Sequence, residues 1–409
     1  MTMHYVLLGP GPEAIAIKEL ARLGHEITVL YTERNRAAVE SAADLVKRSG
    51  SIPSYGDLEL AWSTLLHLGT VDDVEAVIPS HELAVTSAAI LNQLLGTSAT
   101  LGPATALAGR DKALQKSLWT ESGVPTARFA TITNEPHSVD QVRSIIEGLR
   151  APYIVKPPAL GGSTLVTSCP TAEDVFQVLK DNEGLRHAVI EERQDGPEWH
   201  FDGTLVDGRV HEFMVSRYLA PLIETRRGLT NRSVAYPPSK NTDLYQEARR
   251  FTQAAIDALN GTRGVFHLEV FGSPGRFVAG ELAWRPSGAL ANLVADHTIG
   301  VDLWRAHIQL LARADVTVHR PRADSVFGFA CLPVKPGVRN TVTRSDIASF
   351  PGVRHVRMRI PPGETMSEPL TSTVCVAMVL VEGQDLDSCV ERIDSACRRT
   401  RELHELRSG

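Results

Sequence analysis

Apolar and polar positions repeat along this chain with two periods, and the change from one to the other marks its elements. Residues 4–9 (HYVLLG) are an apolar run that predicts a buried strand. The turn Gly9-Pro10-Gly11-Pro12 follows. Residues 13–23 then repeat apolar positions at helical spacing, Gly24 stops that helix, and 26–31 predict a second strand. Strand–helix–strand with tight turns implies a right-handed βαβ unit. A further strand is expected at 74–79 and a helix at 82–95, so residues 1–105 read as an open α/β domain.

The pattern changes after that. Residues 109–123 predict a helix with Arg110, Asp111 and Lys112 in its first turn. Strands at 128–133, 153–157 and 188–192, with helices at 139–149 and 172–180, give a small α+β unit over 106–190. Strands dominate 199–300, apart from a helix at 244–259, and a helix at 302–312 closes that region. Residues 316–409 alternate strands (327–334, 353–360, 372–381) and end in a charged helix at 386–407, which reads as a separate C-terminal α+β subdomain.

Composition narrows the function classes. With 42 Lys and Arg against 48 Asp and Glu the net charge is −6, so no basic field points to nucleic acid or an anionic membrane. The pair Arg226-Arg227 reads as a small anion site or a solvated loop. No stretch reaches the roughly 20 apolar residues a membrane span needs. Five cysteines, none in a C-x-x-C pair, fit a reducing compartment, and a cytoplasmic protein is expected. The Gly9/Gly11 pair lacks a third glycine, and Pro12 removes a backbone N–H. A plain strand-to-helix turn is the preferred reading over a dinucleotide loop.

The candidate chemistry is spread along the chain. Lys112 opens a helix. Lys156 ends a strand and is followed by Gly161-Gly162-Ser163-Thr164, a Gly-rich turn whose bare N–H groups suit a polyphosphate, with a solvated hairpin as the alternative. Glu191-Glu192 end another strand, and Glu198 is placed to accept from ribose hydroxyls; an exposed acidic turn is the alternative. Glu269 and Glu281 fall on two strands joined by the turn Gly272-Ser273-Pro274-Gly275, a hairpin. Two glutamates on neighbouring strands can share hard cations bound to phosphate oxygens. Arg285, between Trp284 and Pro286-Ser287-Gly288, can hold an acyl or transferring phosphate with its planar fork.

Taken in order, the stretches EAVIPSHELAV, AGRDKALQ to ESGVPTARF, YIVKPPALGGSTLV, VIEERQDGPEWHFDG, HLEVF and ELAWRPSG resemble the ATP-grasp carboxylate–amine ligases, and among them the L-amino-acid ligase branch, which makes dipeptides. The resemblance covers nearly the whole chain. It implies an ATP-grasp fold behind an N-terminal open α/β domain: a small subdomain over 106–190, a large one with the metal site over 191–315, and the C-terminal subdomain. It implies an ADP-forming ligase using ATP and Mg2+, with Mn2+ as the alternative ion, acting on a small-molecule carboxylate and amine; homodimers are common in the family.

By the same resemblance Lys112 and Lys156 hold the ATP phosphates and Gly161 to Thr164 cover them. Glu191 and Glu192 form the adenine hinge, Glu198 binds ribose, and Glu269 and Glu281 bind metal. Arg285, Glu281 and Lys156 are the catalytic set. Glu82, Glu224, Arg227, His267 and Arg285 are the implied substrate residues; His267 matches an H-x-E pattern or is a core histidine. Two positions depart from the family. Ala283 stands where many members have a metal-binding Asn, and PLIETRRGLTNRSVAYPPS replaces an element containing Gly-His, with Glu224 and Ser239 fitting its ends. Residues 160–165 and 224–239 are the expected lids. A carboxylase-like member activating bicarbonate or formate, and a non-catalytic nucleotide-binding protein, are the alternatives.

Overall fold

A computed structural model describes residues 2–97, 101–321, 325–333, 337–366, 372 and 374–408. Its first sheet is parallel: β1 (His4–Leu8) lies between β2 (Glu26–Tyr31) and β4 (Ala76–Pro79), and β3 (Arg48–Ser51) extends it to the order β3-β2-β1-β4. Every residue of β1 is buried, because helices cover both faces, as parallel sheets require. Helix α1 (Ile15–Arg22) packs on one face, and α2 (Leu58–His67) and α3 (Ala84–Leu95) on the other. β3 and α2 are additions to the sequence reading. The β3 segment, RSGS, is polar and only half-buried, so it carries no apolar signal. The helix expected from residue 13 starts at Ile15, because Glu13 and Ala14 both have positive φ (52° and 58°) and cannot join a right-handed helix.

Helix α4 (Lys112–Glu121) leads into the second sheet. Asp111 caps it by accepting from the N–H groups of Ala113 and Leu114. Arg110 therefore precedes the helix instead of lying in its first turn, and its side chain is free to reach elsewhere. The second sheet is antiparallel: β5 (Phe129–Ile132), β6 (Tyr153–Lys156), β7 (Thr167–Cys169) and β8 (Ala188–Glu192), in the order β5-β8-β6-β7. Helices α5 (Val139–Ile145) and α6 (Ala172–Asp181) close its core. After the Gly-rich turn, strand β7 begins only at Thr167. Ser163 and Leu165 both have φ 58°, so the chain stays coiled through the Gly-rich loop.

The third sheet is antiparallel throughout. It contains β9 (Glu198–Val206), β10 (Arg209–Tyr218), β11 (Arg232–Ala235), β12 (Gly264–Phe271), β13 (Val278–Ala283), β14 (Val326–Cys331), β15 (Val353–Met358) and β16 (Ala377–Gly383), in the order β13-β12-β9-β10-β11-β14-β16-β15. Helix α7 (Thr242–Ala258) buries one face, where Phe201, Phe213 and Phe266 pack with Tyr245 and Ile256. Each such fully buried side chain stabilises the fold by roughly 1.5–3 kcal/mol. Helices α8 (Ala291–Ile299) and α9 (Leu303–Leu311) cover part of the opposite face.

The C-terminal strands do not form a sheet of their own. β14 pairs with β11 (Ser233 opposite Phe329), and β16 and β15 follow, so the tail extends the central sheet across the boundary expected at 316. The free edge of β11 demands a partner for its backbone groups. Helix α10 (Leu386–Ser408) packs beneath these strands through Cys389, Ile393 and Ala396. All five cysteines are buried, and no disulfide joins them. Among the described residues no helix is long and apolar enough to cross a membrane.

Candidate active site

A cavity of about 300 Å³ opens between the second and third sheets. Its floor is one face of the third sheet, set by strand alternation. On β9 the residues Trp199, Phe201 and Leu205 join the α7 core, while Glu198, His200, Asp202 and Thr204 face the other way and are all buried. Register carries this polar face across the sheet: Glu281 opposite Glu269, Glu269 opposite His200, and His267 opposite Asp202. An irregularity after Glu269 leaves Gly280 unpaired, and bulges of this kind redirect neighbouring side chains.

Directly opposed side chains on antiparallel strands lie roughly 5 Å apart, so Glu269 and Glu281 form one anionic locus. Lys112 reaches it from α4, with Nζ 2.9 Å from Glu281 Oε1 and 2.7 Å from the carbonyl oxygen of Leu160. Glu269 is served by His267, whose Nε2 is 3.6 Å away. Burial alone would raise the Glu269 carboxyl, but His267, Lys156 and Lys112 outweigh it and hold it low. Glu198, also buried, lacks such compensation. Burial and the nearby Glu269 push it up to about 8, against the Leu222 N–H that it accepts at 2.9 Å.

Across the cleft Lys156, at the end of β6, lies 2.6 Å from Glu191 Oε1, and Lys116 Nζ lies 2.9 Å from Glu191 Oε2. One buried carboxylate thus serves two buried lysines. Burial opposes its charge, but the lysines hold it down at about 2. Lys116 was missed in the sequence. The signal was there: Lys112, Gln115, Lys116 and Trp119 are the buried positions of α4, a core-facing stripe at helical spacing with two lysines in it.

Gly161, Gly162 and Ser163 line the cleft from the loop after β6. Thr164 does not; its hydroxyl and N–H both turn back to the carbonyl of Gly161. Glu192 points away from the cleft, a consequence of alternation on β8. Its carboxylate accepts from the Arg150 N–H at 3.0 Å and its guanidinium at 3.2 Å. Gln194, just beyond, lines the cleft.

The third wall comes from the N-terminal domain. Glu82, in the turn before α3, forms ion pairs with both Arg110 and Arg285, and Arg110 also donates to the carbonyl of Ala159. Burial would raise the Glu82 carboxyl, yet the two guanidiniums hold it at about 2. Arg285 lines the cleft and donates to the Pro286 carbonyl at 2.8 Å. Trp284 beside it is buried in the core, its indole donating to Thr105 O at 2.9 Å.

His267 lies both in the cleft and at the end of a buried chain. Ser233 Oγ contacts His200 Nε2 at 2.6 Å, His200 Nδ1 contacts Asp202 Oδ2 at 2.5 Å, and Asp202 Oδ1 contacts His267 Nδ1 at 2.9 Å. Burial would lower the His267 imidazole; Asp202 and Glu269 overcome it and raise it to about 10. His200 and Asp202 were also absent from the sequence reading, although polar residues at every second position of 198–204 signalled a buried polar face.

Glu224 sits half-buried in the 3-10 turn Leu222–Arg227 and is not among the residues lining the cleft, whereas Pro221, Leu222 and Ile223 are. The side chains of Arg226 and Arg227 lie outside those described. Residues 224–239 cannot move as one lid, because Arg232–Ala235 is an internal strand of the third sheet. Ala283 is the direct partner of His267.

No family model matches the chain. A D-alanine–D-alanine ligase of Methylibium petroleiphilum is 38% identical over 57 residues, which is 14% of this chain and 18% of that relative, so the chain matches less than a fifth of that protein's length. Solved structures match over almost all of it. The L-amino acid ligase from Bacillus licheniformis superposes with a TM-score of 0.76 at 17% identity, covering 98% of each chain. A carboxyaminoimidazole ribonucleotide synthase from Aspergillus clavatus, complexed with ATP, gives 0.75 at 13% identity over 98% of this chain and 99% of that one. Phosphoribosylglycinamide synthetase from Anaerococcus prevotii gives 0.68 at 13% identity, covering 97% and 98%. The fold is that of the ATP-grasp ligases.

Proposed function

We propose that the protein uses ATP to activate a carboxylate as an acyl phosphate and joins it to an amine, releasing ADP and phosphate, with amino acids or amino-acid-like molecules as both substrates. The observation that supports this most is the cross-strand pair Glu269–Glu281, faced by Lys112, Lys156 and Arg285 in one cleft. Opposed carboxylates with hard oxygen donors fit Mg2+, with Mn2+ the alternative, and a divalent cation relieves their repulsion. Glu269 and Glu281 would hold such an ion, which would supply positive charge to offset that of phosphoryl transfer.

The remaining groups divide the work. Lys112 and Lys156 neutralise the phosphates, and the N–H groups of 161–163 cover them. Glu198 bonds the ribose hydroxyls, and the backbone near Gln194 borders the adenine. The acid's carboxylate oxygen bonds to the γ-phosphorus, and the β–γ bridging oxygen leaves with its electron pair on ADP. The amine nitrogen then bonds to the carbonyl carbon while Arg285 stabilises the oxyanion. Phosphate departs with the C–O electron pair and carries away the amine's proton. The acyl phosphate must be kept from water, a role we assign to the Gly-rich loop and the segment around 221–223.

Phosphate release from ATP, measured across a matrix of amino-acid pairs with product masses, tests this reading. ADP, phosphate and an amide are expected; AMP and pyrophosphate would mean adenylation and defeat it. A second reading, a carboxylase-like enzyme activating bicarbonate or formate, draws support from the similarly scoring carboxyaminoimidazole ribonucleotide synthase. It predicts ADP formation that bicarbonate or formate stimulates and amino acids leave unchanged. Retention of two lysines, two glutamates and the arginine in one cleft argues against a non-catalytic nucleotide binder.

A further inference from the structure

The cleft floor continues past the carboxylates toward the C-terminal strands. Tyr218 ends β10, Asn231 precedes β11 and Phe329 lies in β14; all three line the cavity. Tyr218 pairs with Ser233, Ser233 pairs with Phe329, and the Asn231 carbonyl accepts from the Cys331 N–H at 2.8 Å. These side chains therefore share the face that carries Glu269. The Tyr218 ring lies 4.6 Å from His200, and Phe329 flanks the same imidazole at 6.3 Å.

Asn231 is more than nine-tenths buried, yet its Oδ1 has no hydrogen-bond partner among the described residues. A buried acceptor left unpaired is costly, and such atoms in native folds are matched by a ligand or a water. The partner that suits it is an N–H or O–H donor. The surroundings choose between donor classes: Glu269 lines the same floor, opposite Glu281, and makes the region electronegative. Burial and the Glu269 carboxylate keep the Tyr218 hydroxyl neutral, so it too can accept from a donor. A carboxylate would be repelled here, and an amine would be drawn in.

We propose that Asn231 and the Tyr218 hydroxyl form the seat of the attacking amine, accepting its N–H hydrogens while Phe329 packs against its carbon skeleton. The ligand class is a primary amine with an apolar or flat group beside the nitrogen. This assignment rests on the ligase reading above.

The test separates the two half-reactions. Acyl phosphate formation is read without any amine, by positional isotope exchange in ATP labelled at the β–γ bridge, using single L-amino acids as acid probes. Ligation is read with L-amino-acid carboxamides, which have no carboxylate to activate and serve only as amines. Asn231→Leu keeps the volume and removes the acceptor; Asn231→Asp keeps an acceptor. The amine KM is expected to rise at least tenfold more in Asn231→Leu than isotope exchange falls, with Asn231→Asp recovering most of that loss. Tyr218→Phe should shift the amine KM in the same direction, and decides the matter if Asn231→Leu fails to fold. Parallel losses in exchange and amine KM would mean that Asn231 serves the acid or nucleotide, and an unchanged amine KM would equally overturn the seat. A wild-type enzyme that shows exchange but no amide overturns the amine seat while leaving acid activation standing. A wild-type enzyme that shows neither removes the ligase reading, and the seat with it.

Discussion

Arg285 and Glu82 stand 203 residues apart in the chain and form an ion pair that binds the N-terminal domain to the end of the hairpin carrying Glu269 and Glu281. Arg110 joins the same carboxylate from the entry to α4. The guanidinium is thereby oriented before any substrate arrives, and preorganised donors of this kind contribute most where charge develops in a transition state.

Arg285→Lys keeps the charge and loses the planar fork that meets Glu82. Ligation is expected to slow by about a hundredfold or more, the scale of losing one oxyanion donor, with ATP affinity changed little. Equilibrium ATP binding alongside amide formation checks this. If ATP binding is abolished, the arginine belongs to the nucleotide site.

Glu281→Gln removes one of the two opposed carboxylates and releases Lys112 from its 2.9 Å contact. Turnover should collapse, and Mn2+ affinity, followed by electron paramagnetic resonance, should fall with it. Far-ultraviolet circular dichroism should be unchanged, since Glu281 is partly exposed and lies near the sheet's edge. Wild-type Mn2+ binding in this variant would remove Glu281 from the metal site.

Glu191→Gln leaves Lys116 and Lys156 buried together without their shared counter-charge. Breaking a buried pair in this way typically costs about 3–5 kcal/mol, so a clear drop in Tm is expected. The pH dependence has a definite sign. The folded carboxyl is held at about 2 against an ordinary 4.5, so its stabilising contribution is complete above about 4.5 and is lost as pH falls toward 2. Urea unfolding between pH 3 and 7 should be less acid-sensitive in the variant; equal slopes would show that this triad does not govern acid stability.

Glu198 has the opposite sign. Its folded carboxyl binds a proton more tightly than the unfolded chain does, so stability declines as pH rises from 4.5 to about 8. Glu198→Gln should flatten that decline and weaken nucleotide binding. A variant with the wild-type slope would mean that Glu198 titrates normally.

How much of this could be read from the chain depended on distance along it. The hairpin carrying Glu269 and Glu281 was legible because its strands are adjacent and joined by a four-residue glycine turn. Lys156 and its loop were legible for the same reason. The sequence reading took Glu191 and Glu192 together, but Glu191 faces the cleft and Glu192 turns away to Arg150, because two residues in succession on a strand face opposite ways. Asp202 and Lys116 left a signal in the sequence as polar residues recurring with the period of a buried face, but nothing local said that they meet residues of the cleft. The place of β14 beside β11 could not be read at all: about 90 residues separate them, and nothing local in either strand names its partner.

That last pairing has a consequence during synthesis. A ribosome releases the chain from its N-terminus, so β11 emerges with β10 on one side and nothing on the other until residues 326–331 follow. At ordinary elongation rates the wait is on the order of ten seconds. Throughout it the edge of β11 offers unpaired backbone groups to other chains, and Phe329, the far wall of the cavity, has not yet been made. Ribosome-stalled chains ending before residue 326 should therefore be cut by protease near β11 and fail to retain nucleotide, whereas chains with residues up to 383 outside the exit tunnel should resist. Early resistance would mean that the site closes without its C-terminal strands.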